Sequence, residues 1–289
     1  VLRQFADVTP ANVKHQATAY RILLNTDFSD ATVTTALTPL TEESDVTAVK
    51  LPTPTYVDLT PLEYGFGTVR TLKLNNRGLV QIDPIIAEAV AFHMVRTIDG
   101  LVQTELAAGS NQVYGGTGNA AANDLAAGDV LTAQMGRYAV SKFQATGVAP
   151  RYNDGSYAAI IHPYNELTLR TESGSGGWRT PNEYGASQER IWSGEIGKFE
   201  GLTYTTNPRV KVTANTVPVN VYKTYYMGKE ALASAVNVEP EVRIAPVTDR
   251  LSRFAGIGWY GDLDFGVFRQ SALIVGNTTL TADDATALA

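Results

Sequence analysis

The spacing of apolar residues changes several times along this chain, and each change marks an element. From Ile82 to Ala108 the spacing is helical: Ile85, Ala89, Phe92, Val95, Val102 and Leu106 share a side, widened by Ile86, Val90 and Met94. Asp83 is a natural N-cap, and Pro84 follows at the first helical position. The run predicts one helix over 82–108, about 26 residues and roughly 39 Å at ~1.5 Å per residue. Gly100 lies inside it, where a bend is expected.

Upstream, residues 49–80 alternate in pieces, with Tyr56 and Asp58, then Tyr64, Phe66, Thr68, Arg70, Leu72 and Leu74. β-Branched and aromatic residues stand between Pro and Gly punctuation, which predicts two long strands in an antiparallel ribbon. The stretch Asn75-Asn76-Arg77-Gly78 should end the second strand as a turn. A lone ribbon is marginal in water, so it should lie on something else. Residues 1–48 are rich in Thr and Ala and read as an N-terminal arm, extended or disordered. Within it, 13–24 predicts a short helix with Val13, Tyr20 and Leu24 on one side.

Downstream, 109–127 is a small-residue loop. A helix capped by Gly128 or Asp129 follows, carries Val130, Leu131, Met135, Tyr138 and Phe143, and ends near Gly147. From 151 the elements become short and mixed. A buried strand covers 157–162, a helix starts at Pro163, and 172–190 reads as a long functional or mobile loop. Strands are expected at 202–206 and 219–226, a short helix at 227–233, and one or two strands within 253–279. No internal repeat appears. The class is α+β.

Composition narrows the function. Apolar residues are 44% of the 289 and charged residues only 18%, with a net charge of −6. A charge-poor surface suits large protein–protein contacts, whose centres are depleted in charge. The acidic balance gives no basic stripe for sequence-specific nucleic-acid binding. There is no cysteine, so disulfides, thiolate metal sites and cysteine nucleophiles are excluded. No run of 18 apolar residues exists, so no membrane-spanning helix is expected.

Candidate chemistry is sparse. The histidines are His15, His93 and His162, with no metal-binding spacing. His93 lies between Phe92 and Met94 and reads as packing; His162, at a strand end before Pro163, is the better candidate for a site. Asp262 and Asp264 straddle Leu263 and would share a strand face, as a polar surface pair or as an acid–base or metal pair. Gly65-Phe66-Gly67, Gly256-Ile257-Gly258 and Gly174–Gly177 lack the context of a nucleotide loop, and Ser187 and Ser193 lack a nucleophile elbow. Arg179, Arg190, Arg209, Arg243, Arg250, Arg253 and Arg269 are read as solvated or paired, some across subunits. Trp259 reads as core and Trp178 as an interface anchor, with Trp192 and Tyr260 either one. No catalytic, cofactor-binding or metal-binding residue is assigned, and no cofactor is expected.

Four segments have recognisable wording: AAIIHPYNELTLR at 158–170, Gly194-Glu195-Ile196-Gly197-Lys198-Phe199-Glu200-Gly201 before Leu202, Tyr225-Tyr226-Met227-Gly228-Lys229-Glu230-Ala231, and the closing GWYGDLDFGVFRQSALIVG. Their wording and order resemble the major capsid proteins of tailed bacteriophages, which have the Hong Kong 97-like fold, and within them the phage N-four-like family. The resemblance spans about residues 50–275. It implies an N-terminal arm at 1–48, an extended β-ribbon loop at 49–80, and a peripheral domain with a long spine helix at 81–150. A mainly axial domain at 151–245 follows, with return strands and a tail at 246–289.

The implied function is mechanical: hexamers and pentamers of one chain tile an icosahedral shell around double-stranded DNA. The implied partners are further copies, scaffold, portal and decoration proteins, and DNA contacted without sequence preference, with no membrane. The implied location is the virion capsid, assembled in the host bacterial cytoplasm. The arm matches no part of the pattern. No lysine–asparagine pair can be assigned to the isopeptide cross-link that some members make. An encapsulin-like compartment, another virion component and an unrecognised enzyme stay open.

Overall fold

The computed structural model describes residues 2–10, 19–24, 52–77, 82–146, 149–172, 195–214, 219–245 and 253–281, with single positions at 39, 42, 45, 50 and 284. A short 3-10 turn, Leu2–Phe5, precedes β1 (Tyr20–Leu24), β2 (Thr55–Leu59), β3 (Leu62–Thr71), α1 (Leu72–Arg77) and α2 (Ile82–Ala107). Then come β4 (Gln112–Tyr114), α3 (Ala133–Thr146), β5 (Tyr157–Ile161), α4 (Pro163–Thr171), β6 (Glu195–Phe199), β7 (Leu202–Thr206), β8 (Val212–Ala214) and β9 (Asn220–Met227). The last three strands are β10 (Leu232–Ile244), β11 (Phe254–Val267) and β12 (Leu273–Thr278).

Three sheets result. The first is antiparallel, in the order β10-β11-β3. Along β11, Ala255, Ile257, Trp259, Gly261, Leu263 and Phe265 are buried while the intervening residues through Asp264 are partly exposed, a two-residue period that puts one face inward. α2 lies on that face. Its Val90 joins Ile257 and Trp259, flanked by Ile86 and Met94. One and a half turns or more along, Ile98, Val102 and Leu106 enter the main core with Leu263 and Phe265.

The second sheet is mixed, in the order β4-β12-β9-β5-β7-β6, with β8 beside β9. Every residue of β5 is buried, as expected for a continuous apolar strand covered on both sides. α3 and α4 cover one face: Gly136 abuts Tyr204, Met135 reaches Gly276, and Asn165 donates to the Thr224 and Thr278 hydroxyls at 3.3 and 3.1 Å. Leu273 and Val275 point the other way and close on Gly109, just past the end of α2. The long helix thus ties both sheets into one core.

The third sheet is the antiparallel pair β1–β2, in register from Tyr20↔Leu59 to Leu24↔Thr55. This corrects the ribbon expected at 49–80. β2 and β3 exist, but they do not pair with each other; β2 pairs with β1 and β3 with β11. Only Thr60-Pro61 separates them. A two-residue hairpin needs positive φ, which proline cannot adopt. The Thr60 N–H is instead held by Asp264 Oδ2 at 2.8 Å. Where the chain does reverse in two residues, between β6 and β7, Glu200 and Gly201 have φ of 52° and 81°.

Five other expectations change. Tyr20–Leu24 is a strand, not the end of a helix, with Tyr20 and Ile22 buried and Arg21 and Leu23 exposed; the rest of that expected helix lies outside the described residues. Residues 2–10 belong to the body rather than to an arm. Leu2 and Phe5 are fully packed, the Leu2 N–H donates to Asp99 at 3.2 Å, and Val8 bridges to Ala233. Residues 72–77 are helix rather than strand and turn. No helix forms at 227–233, where Glu230 turns the chain at φ 64° into β10, a strand the sequence reading missed. α3 starts at Ala133, after the expected caps, with its Ala133 N–H held by Glu172 at 2.7 Å. Among the described residues no helix is long and apolar enough to cross a membrane.

Candidate assembly surfaces

The candidate histidines hold structure together. His93 faces the first sheet from α2. Its Nδ1 accepts the Trp259 indole N–H at 3.0 Å, and Phe66 of β3 stacks on the ring at 4.3 Å between centroids. One side chain therefore fastens the helix to two strands. His162 ends β5 and caps α4, its Nδ1 accepting the Tyr164 N–H at 3.2 Å. The rings of Tyr164 and Tyr222 lie against it. Burial lowers its pKa, against an opposing hydrogen bond to the Pro208 backbone. Capping α4 and flanked by two tyrosine rings, the imidazole serves the strand-to-helix corner.

Asp262 and Asp264 go to separate tasks. Asp262 accepts the Asn237 amide at 2.8 Å, while Asp264 accepts the N–H groups of Thr60 and Phe265 at 2.8 and 2.9 Å. Asp264 still titrates above the usual carboxylate range because burial outweighs those bonds. Glu105 on α2 is raised too, first by burial and then by the Asp264 charge, and Tyr64 of β3 is raised by burial and by both carboxylates. The C-terminal half of the helix thus meets the sheet across a strained acidic junction.

Among the described residues no three His, Cys, Asp or Glu side chains converge to hold a metal. Arg243 pairs with Glu241 at 2.6 Å and Arg269 with Glu230 at 3.1 Å, both within the chain. Trp259 is core, 3% exposed. His15, Trp178, Trp192, Ser187, Ser193, Gly174–Gly177, Arg179, Arg190 and Arg250 lie outside the described residues.

What the body does display is apolar surface on and around the first sheet. On α2, Ile85, Phe92 and Val95 face out, with Phe92 65% exposed. On β3, Leu62, Phe66 and Val69 are exposed, and β10 ends in an Ile244 that is 71% exposed. α1 adds Leu72 and Leu74. β3 and β10 are also the two edges of their sheet among the described residues. Clustered apolar side chains beside open strand edges are what a subunit shows where it expects to be covered. The sequence reading missed this set. It placed Ile85, Phe92 and Val95 on one helix side without saying which side is covered, and α2 is too broadly apolar for one sheet to cover.

A missed signal lies in the two Gly-x-Gly triplets. Spacing of two puts each pair of glycines on one strand face. The register sets Gly67 opposite Gly258, with Gly65 opposite Tyr260 and Gly256 opposite Val69. The glycines thus line up on the outward face of the sheet, away from α2.

No protein-family model and no curated protein matches the sequence. Solved structures do match over nearly the whole length. The capsid of Ralstonia phage GP4 aligns with a TM-score of 0.75 at 12% identity, covering 94% of this chain and 87% of that one. The capsid of cyanophage Pam1 gives 0.70 at 12% identity, over 93% and 87%. That of cyanophage P-SCSP1u gives 0.66 at 12% identity, over 96% and 88%. At such identities it is the architecture that is shared, and the chain has the Hong Kong 97-like fold of these phage capsid subunits.

Proposed function

We propose that this chain is the major capsid protein of a tailed bacteriophage, assembling as hexamers and pentamers into an icosahedral shell around double-stranded DNA. The observation that carries this reading is the match to a phage capsid structure over 94% of the chain. The exposed apolar side chains and open edges around the first sheet support it, because a lone soluble subunit gains nothing from them. The role is structural, not enzymatic. Scaffold, portal and decoration proteins are the further partners, and the virion, built in the host cytoplasm, is its location. A net charge of −6 limits sticking to packed phosphates, so contact with DNA is non-specific.

Within the subunit, the peripheral domain is α2 with the β10-β11-β3 sheet, and the axial domain is the seven-stranded sheet with α3 and α4. The β1–β2 pair brackets the connection from Leu24 to Thr55. The four quoted segments, two of which are the His162 corner and the β6–β7 hairpin, favour the N-four-like branch.

Negative-stain imaging with light scattering on the purified chain tests the reading. Closed shells or hexamer and pentamer rings are expected, with genome-length DNA inside natural particles. A monomer at every concentration and ionic strength would overturn it.

A further inference from the structure

α4 is fastened at three points. Just past its end, Glu172 takes the Ala133 N–H of α3 at 2.7 Å. In its first turn the fully buried Asn165 donates to the Thr224 and Thr278 hydroxyls of β9 and β12 at 3.3 and 3.1 Å. At its start Pro163 has no N–H, so the first donor in need of a partner is the Tyr164 N–H, which His162 Nδ1 accepts at 3.2 Å.

A backbone N–H can only donate. His162 Nδ1 must therefore carry no proton, and the cap exists only while the imidazole is neutral. Protonation sets one N–H against another and puts a positive charge at the positive end of the helix dipole. Ser, Thr, Asn and Asp are the usual caps, and none of them loses its acceptor in mild acid. Histidine does.

The groups that face the ring among the described residues offer no carboxylate to hold it charged. From α4 the Tyr164 ring lies at 4.8 Å, and Glu166, whose N–H donates to the His162 carbonyl, has its own carboxylate on Arg170 at 2.6 Å. From β9 comes the Tyr222 ring at 5.0 Å, its phenol pushed up by burial and so uncharged. The loop after β7 brings the Pro208 backbone, followed in sequence by the cation Arg209. Burial outweighs the Pro208 bond and lowers the pKa of the imidazole.

We propose that His162 is an acid-released clasp: in mild acid it lets go of the Tyr164 N–H, and the first turn of α4, with Asn165, parts from β9 and β12. The clasp belongs to the single subunit and works whether or not the chain builds a shell. The neutral imidazole's contribution is fully present above the unfolded histidine value of about 6.5 and is lost as pH falls through the lower folded value.

Amide exchange followed by NMR on unassembled full-length chain tests this at about pH 7.5 and about pH 5, each rate taken relative to the unstructured rate at the same pH. Wild-type protection at the Tyr164 amide should fall about fivefold or more between the two, the effect of losing a side-chain cap. His162→Asn supplies an acceptor that acid does not remove, so its protection should hold within about twofold, while His162→Ala should be poorly protected at both. Wild-type protection that holds in acid would overturn the clasp. An equal fall in His162→Asn would overturn it too, by placing the acid-sensitive group elsewhere. Should the variants not fold, the imidazole resonances of the wild-type chain decide: His162 should titrate below about 6.5, and titration at or above that value would overturn the clasp.

Discussion

The bond between Trp259 and His93 is the most exacting test of how α2 is held to the sheet. Trp259 is 3% exposed, and its indole N–H has His93 Nδ1 as acceptor at 3.0 Å. Trp259→Phe keeps a ring in the core but strands the acceptor on a half-buried helix side chain. His93→Phe keeps a ring stacked on Phe66 but strands a buried donor. An unmet buried polar group costs about 1–3 kcal/mol, and a typical bond contributes ~1 kcal/mol net. Each single variant should therefore lose about 1–3 kcal/mol, with Trp259→Phe higher for its lost volume. The double variant should lose less than the sum, by about 1 kcal/mol, since neither partner is left unmet. Urea unfolding of unassembled chain, followed by far-ultraviolet circular dichroism, measures all four corners of the cycle. A coupling below about 0.3 kcal/mol, the ordinary error of additivity, would mean that the bond does not fasten the helix and that apolar packing of Val90, Met94 and Ile257 does so alone.

Three further outcomes are expected from unassembled chain. Gly136→Ala sets a Cβ 2.5 Å from the hydroxyl of the fully buried Tyr204, and should cost about 1–3 kcal/mol and lower the calorimetric midpoint, where an unchanged midpoint would show that α3 can lift off β7 freely. Glu105 and Asp264 both titrate above their usual values, so the folded state holds their protons more tightly and the junction is most stable in acid, losing stability as pH rises through the raised values. Glu105→Gln should flatten that part of the pH profile and raise the midpoint at neutral pH; a midpoint that falls would refute the repulsion. Asp154 behaves oppositely: burial pushes it up, but hydrogen bonds from Lys198 and Ser156 and the lysine charge carry it below the usual range. Its stability contribution is present above the ordinary aspartate value and fades as pH falls through the lowered one, so Asp154→Asn should weaken the β5–β6–β7 corner at pH 7 and hardly at all in strong acid.

How far the sequence speaks depends on whether an element carries its own instructions. α2 does: an acidic residue and a proline in its first turn and a sustained helical period define it without reference to anything else, and it forms over 82–107, with Asp83 inside the helix rather than capping it. β5 and α4 do as well, because five buried residues run into a His-Pro corner whose capping needs no distant partner. The β6–β7 hairpin is written in Glu200-Gly201. The errors of pairing concern partners. An alternating strand states which side chains share a face, but not whose edge it will meet. β2 and β3 were legible as strands. Their division between β1 and β11 rests on Thr60-Pro61 refusing to turn and on Asp264, two hundred residues away, catching the Thr60 N–H. β10 was missed for a related reason. Its glutamates, proline and arginine suit a long edge strand, where one side of the backbone faces water, and a reading tuned to buried strands passes over them. The same blindness covers the surfaces proposed for assembly. Phe92 and Val69 look like core in sequence because hydrophobicity does not say which copy of the chain will bury them.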